Sequence, residues 1–224
     1  MSRRWIFLDL DGPVLDVSRR YHQVHRGLVL RHGGRPLDRE EYWDAKRNRV
    51  PEAGILARCG VSPEAETERL AEIEAPAHLA LDRPWPWTGA ALEELARWGS
   101  LALVTLRRHP DRLADQLAAL DLTRSFERIV AGRGDGTSEA KAVLLRESGI
   151  DWGPGSVLVG DTEVDIASGK ALGLRTVALS CGIRAPHLLE RWSPDALLSD
   201  LRDVPSMLSC RPGEGRPGPL PPCP

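Results

Sequence analysis

The sequence predicts an α/β fold: a parallel sheet with helices on both faces, interrupted near its start by an all-helical insertion. Three observations carry this expectation. An apolar run, Trp5-Ile6-Phe7-Leu8, ends abruptly in Asp9-Leu10-Asp11-Gly12. From residue 89 onward, short apolar strands alternate with helices of about ten residues, the pattern of βαβ units. Between these two regions, residues 16–82 contain no stretch that reads as a strand.

Each element follows from its residues. Four consecutive apolar residues at 5–8 suit a central strand covered on both faces. Amphipathic helices are expected at roughly 18–32, 38–49, 52–59 and 63–81, broken at Gly33-Gly34, Pro51 and Ser62-Pro63. At the last of these, Ser62 supplies a capping hydroxyl, Pro63 suits the first helical position, and Glu64 and Glu66 bring negative charge to the first turn. The segment 83–90, RPWPWTGA, reads as a linker. Then come helix 89–98, strand 101–105, helix 110–120, strand 128–132 and helix 138–148. Strand 156–160, helix 163–172, strand 175–179 and a short strand at 195–199 complete the series. The strand at 5–8 is too apolar to stand alone and joins this later set. The expected division is a core of residues 1–15 and 87–208, a helical cap of 16–86, and a Pro/Gly-rich tail, 209–224, that cannot form a packed core.

Composition narrows the function classes. A chain of 224 residues is long enough for one large domain or a core with an insertion, and a net charge of −2 with 42% apolar residues suits a soluble protein. No basic tail or interleaving of aromatic and basic residues suggests a nucleic-acid partner. The apolar run 5–8 is too short for a signal peptide, and no membrane-spanning run follows, so a cytoplasmic enzyme is expected. Cys59, Cys181, Cys210 and Cys223 show no CxxC spacing; free thiols are expected, with a Cys210–Cys223 bridge as the alternative. Of the 30 basic residues, 27 are Arg; the three Lys stand at positions 46, 141 and 170, so a lysine is the more informative cation in this chain.

In open parallel sheets, ligands sit outside the carboxyl ends of the strands. The sequence places Asp9 and Asp11 there, with Thr105 ending its strand and Asp161 and Asp165 in the run Gly160-Asp161-Thr162-Glu163-Val164-Asp165. Lys141 falls in the first turn of the helix after strand 128–132. Residues 9 and 11 of an extended chain point to one side, so the two acids ask for a cation or a proton between them. Carboxylates from separate strands make an oxygen cage suited to Mg²⁺, and the chemistry that fits is phosphoryl transfer. Asp9 can attack phosphorus, Asp11 can give and take the proton, and Thr105 and Lys141 can hold the phosphoryl oxygens.

Taken in order, FLDLDGPVLD, LALVT, Lys141 and VLVGDTEVDIASGKALGLRTVAL resemble the four motifs of the haloacid dehalogenase-like hydrolases, over residues 5–208. The likeness is to the phosphoglycolate phosphatase-like group, with a Rossmann-like core and a C1-type helical cap. It implies Mg²⁺-dependent hydrolysis of a small phosphorylated metabolite through an aspartyl-phosphate, with no obligate protein partner. A phosphomutase of the same superfamily and a non-hydrolytic, phosphate-responsive regulatory domain are the alternatives. By resemblance, Asp9 is the nucleophile and a metal ligand, and Asp11 is the general acid/base that also lends its backbone carbonyl to the metal. Asp161 ligates the metal directly, Asp165 orients Lys141 or a metal-bound water, and Gly12, Thr105 and Lys141 contact phosphate. Three positions depart from the family pattern: Pro13 follows the glycine, Leu-Arg-Arg follows Thr105, and Lys141 lies in SEAKAVLL instead of a Lys-Pro pair. In the cap, Lys46, Arg47 and Arg49 form either a solvated helix face or a cationic contact for an anionic part of the substrate.

Overall fold

The computed structural model describes residues 3–132 and 136–209. The expected tail beyond residue 209 and the Cys210–Cys223 pair lie outside the described residues. Six strands form one parallel sheet: β1 (Trp5–Leu8), β4 (Ser100–Thr105), β5 (Arg128–Ala131), β6 (Val157–Gly160), β7 (Arg175–Leu179) and β8 (Ala196–Leu198). Their order is β5-β4-β1-β6-β7-β8, with β1 central between β4 and β6. Ile6 pairs with Leu101 on one side and Val157 on the other. Strand alternation sends Ile6 and Leu8 to one face, where they pack with Leu92, Leu113 and Leu117. Trp5 and Phe7 face the opposite layer, with Leu145 and Leu158. Both faces are therefore buried, as four consecutive apolar residues demand. Each such side chain contributes roughly 1.5–3 kcal/mol. The α/β expectation is borne out.

Between β2 (Leu15–Asp16) and β3 (Arg83–Pro84) lie five helices: α1 (Ser18–Arg31), α2 (Arg39–Arg47), α3 (Glu52–Arg58), α4 (Glu66–Glu72) and α5 (Pro76–Leu79). The remaining helices are α6 (Thr88–Ala96), α7 (Pro110–Ala119), α8 (Ser138–Glu147), α9 (Glu163–Ala171), α10 (Pro186–Glu190) and α11 (Val204–Ser209). No helix among the described residues is long and apolar enough to cross a membrane.

Two features differ from expectation. The stretch 63–81 is not one helix: a 3₁₀ turn at Pro63–Ala65 leads into α4, and the chain breaks at Ala75 before α5. Pro76 explains the break, because it forces Ala75 into extended geometry (φ −66°, ψ 143°) and starts a new helix. The second difference is a short antiparallel ribbon, Leu15 opposite Pro84 and Asp16 opposite Arg83, where a linker was expected. The two chain crossings between the sheet and the helical insertion thus run side by side. Trp85 donates from Nε1 to the Gly12 carbonyl at 2.7 Å, and Thr88 donates from Oγ1 to the Val14 carbonyl at 2.9 Å, tying the return crossing to the loop after β1.

Candidate active site

The carboxyl ends of β1, β4 and β6 meet at a cavity of about 450 Å³ whose lining includes Asp9, Asp11, Thr105 and Lys141. Parallel register brings this about: Leu8 is level with Leu103 and Val159, so the residues that follow emerge at one edge. Thr137 caps α8 by accepting the Ala140 N–H at 3.2 Å, which directs Lys141 of the first turn back over the edge. Its ammonium donates to Asp9 Oδ1 at 2.6 Å and to Asp165 Oδ1. Asp165 also reaches back to the start of α9, accepting from the Thr162 N–H at 3.1 Å and its hydroxyl at 2.7 Å. One carboxylate thereby both caps a helix and holds the lysine.

Asp9, Asp161 and Asp165 bring ligand oxygens within 4.8 Å of one another. Asp161 is fully buried; its Oδ2 accepts from the Ile183 N–H, while its Oδ1 is without a hydrogen-bond partner. Burial, reinforced by Asp9 and Asp165, pushes the Asp161 carboxyl well above its ordinary range. Burial likewise raises Asp9 from 3.8 to about 7, against the opposing pull of Lys141. Buried carboxylates this crowded, one with an orphaned oxygen, fit a hard divalent cation, which favours their charged forms and takes oxygen ligands. Asp165 joins this cluster by its side chain.

Gly12 serves the site differently from expectation. Its N–H donates to the Leu15 carbonyl at 2.9 Å and is not available to a phosphate, and the residue does not line the cavity. Its φ of +107° is glycine territory, and a Cβ there would overlap the Asp161 carboxylate. Gly12 therefore makes room for Asp161. Gly12→Ala is expected to cost at least about 2 kcal/mol through strain and overlap. It should also abolish any rise in melting temperature on adding Mg²⁺, a comparison that thermal denaturation with and without the ion makes directly.

The side chains of the two acids in the opening loop meet different cationic residues, Asp9 with Lys141. Asp11 is held instead by two arginines: Arg107 donates from Nη2 to Oδ1 at 2.5 Å and from Nε to Oδ2 at 3.1 Å, and Arg20 from Nη2 to Oδ2 at 2.8 Å. The same arginines meet Asp82, at 3.0 Å from Arg20 Nε and 3.2 Å from Arg107 Nη2. Gln116 donates to Asp82 at 2.9 Å and accepts from Arg107 at 3.2 Å. Burial alone would raise the Asp11 carboxyl, but Arg107 and Arg20 outweigh it and hold the group far below the usual carboxylate range. Thr105, buried at the end of β4, accepts from the Arg107 N–H at 3.4 Å. Sequence reasoning missed Arg20, Asp82 and Gln116. The departure Leu-Arg-Arg after Thr105 was the one available signal for Arg107.

Comparison with known proteins identifies the family. The sequence matches the haloacid dehalogenase-like hydrolases over residues 4–173. The chain belongs to that family. Among curated relatives of this hydrolase is phosphoglycolate phosphatase 1 of Pseudomonas aeruginosa, 26% identical over 216 residues that span 90% of this chain and 78% of the relative. A phosphoglycolate phosphatase of Cereibacter sphaeroides is 25% identical over 187 residues, covering 80% of this chain and 86% of the relative. A haloacid dehalogenase-like family hydrolase from Streptococcus pneumoniae superposes with a TM-score of 0.74 at 18% identity. That match covers 92% of this chain and 99% of the other, and at such identity it speaks for the fold alone. The resemblance drawn from the motifs is borne out.

Of the cap cations, none of Lys46, Arg47 and Arg49 lines the cavity of this hydrolase. Lys46 donates to Glu52 at 3.0 Å and lies over the Tyr21 ring. Arg47 donates to the carbonyls of Gly182 at 2.5 Å and Ser180 at 2.9 Å, bracing α2 against the loop after β7. Arg49 pairs with Glu163 at 3.2 Å. Each has a carboxylate or carbonyl partner, which is why none turns inward. The cations that the insertion and the β4 loop bring to the cavity are Arg20, Arg107 and Arg108.

Proposed function

We propose that this chain is a Mg²⁺-dependent phosphatase of small phosphomonoesters, working through an aspartyl-phosphate on Asp9. The observation that carries the reading is the junction of Asp9, Lys141, Asp165 and Asp161 at one sheet edge, facing a cavity that Thr105 also lines. Asp9, Asp161 and the Asp11 backbone carbonyl would hold the metal, whose positive charge offsets repulsion between an anionic nucleophile and an anionic phosphate. Asp9 attacks phosphorus, and the bond from phosphorus to the leaving oxygen breaks. Asp11 gives its proton to that oxygen, releasing an alcohol. Water then attacks the phosphoaspartate, its proton passes to Asp11, and phosphate departs with Asp9 restored. Lys141 and Thr105 hold the phosphoryl oxygens through both displacements. Residues 16–86 act as the cap that covers the reaction.

The names of the relatives favour a carboxylated ester such as 2-phosphoglycolate within the substrate panel. Phosphate release from that panel, with Mg²⁺ and with chelator, tests the proposal. Release that needs the ion is expected; no release from any ester under either condition rejects it.

A further inference from the structure

In the reaction just proposed, Asp11 must reach the leaving oxygen, yet both of its carboxylate oxygens are taken by arginine donors. Arg20, Asp11, Arg107 and Asp82 form a closed ring of alternating charge, two cations and two anions. Three members have side chains no more than 4% exposed; Asp11, at 18%, is the most exposed. It is therefore the member that can leave. Its departure strips a counter-ion from two buried arginines, which is strongly unfavourable unless another anion takes its place. Arg20 and Arg107 both line the cavity, so that anion can come from the ligand side. Arg107 presents Nε and Nη2 side by side to the two oxygens of Asp11, a fork that matches any carboxylate.

We propose that the gap between Arg20 and Arg107, filled here by Asp11, is a carboxylate-binding site, and that an incoming carboxylate displaces Asp11 and frees it to meet the leaving oxygen. This rests on the phosphatase reading and deepens it. The site takes a carboxylate borne by the ester itself or a free carboxylate ion, and the two sources are separable by experiment. The ring also couples the insertion to the sheet, since Arg20 and Asp82 belong to the former and Asp11 and Arg107 to the latter. Substrate charge, on this account, releases Asp11 from the ring, and the freed carboxylate takes a proton from solvent before giving it to the leaving oxygen.

The test uses three esters with Mg²⁺ at constant ionic strength. 2-Phosphoglycolate carries the carboxylate, ethyl phosphate lacks it, and p-nitrophenyl phosphate has a leaving group that departs without a proton. Phosphoglycolate is expected to exceed ethyl phosphate in kcat by at least about tenfold. Added acetate should raise the ethyl phosphate rate saturably and leave the p-nitrophenyl phosphate rate unchanged. In Arg107→Met the acetate response should vanish and the preference for phosphoglycolate should collapse. Arg107→Lys, which keeps the charge but loses the fork, gives a second reading if the methionine variant fails to fold. Acetate without effect on ethyl phosphate, acetate acting as a plain inhibitor, or a preference unmoved in both variants would overturn the proposal. Failure of all three esters would instead reject the phosphatase reading beneath it.

Discussion

Replacing Asp9 by Asn is expected to lower phosphate release by at least about a thousandfold while leaving the protein folded. The amide keeps the size of the carboxyl and can still meet its neighbours, but it offers no anionic oxygen to phosphorus. Its stability signature is as diagnostic as the lost activity. Burial raises the Asp9 carboxyl from 3.8 to about 7. Between those values the folded protein holds a proton that the unfolded chain has released, so native stability from this group falls as pH rises from about 4 to about 7. The asparagine variant has no such group. In chelator, its melting temperature should therefore gain on the wild type between pH 5 and pH 8. Mg²⁺ should then restore the wild type at pH 8, where the ionised carboxylate is free to ligate. Parallel melting curves for both proteins would refute this account if their difference were flat across pH.

Much of this was legible because it rests on local pattern. Four apolar residues running into Asp9 announce a central strand and its carboxyl end, and the same logic brought Thr105 and Asp161 to one edge. Lys141 was legible through scarcity, as one of three lysines among 30 basic residues. The ring around Asp11 was hidden for the opposite reason. An arginine at position 20 or 107 is unremarkable in a chain with 27 of them, and Arg20 meets Asp82 across 62 residues of sequence. The pairing of Asp9 and Asp11 with protein cations was hidden on the same ground. Strand parity places two side chains on one side, but tertiary packing supplied each with its own cation, Lys141 from α8 and the arginines from α1 and the β4 loop. The ribbon of β2 and β3 is two residues long on each side, below any periodicity. The break at Pro76 was available in the residues, since a proline inside a helical pattern marks a boundary. What Gly12 does could not be read locally, because its steric partner, Asp161, follows another strand.

Lys141→Met is expected to have the largest effect on stability. The lysine side chain is 3% exposed, and its ammonium lies between Asp9 and Asp165. Burial alone would lower its pKa, but the two carboxylates outweigh burial and keep it firmly charged. Methionine fills the same space with no charge, leaving three clustered carboxylates to face one another. Breaking a buried pair in this way costs about 3–5 kcal/mol, because the partner charge remains buried. For a chain of this size the melting temperature should fall by on the order of 10 °C, and turnover should be lost with the phosphoryl contact. The cause can be separated from simple loss of packing by a double-mutant cycle with Asp9→Asn. If the penalty is electrostatic, removing the Asp9 charge should recover part of it, and the two substitutions together should cost less than their sum. Strict additivity would mean that Lys141 contributes through its methylenes alone. The same cycle repeated with Mg²⁺ should shrink the penalty of Lys141→Met, since a divalent cation among Asp9, Asp161 and Asp165 supplies the charge that the lysine no longer does.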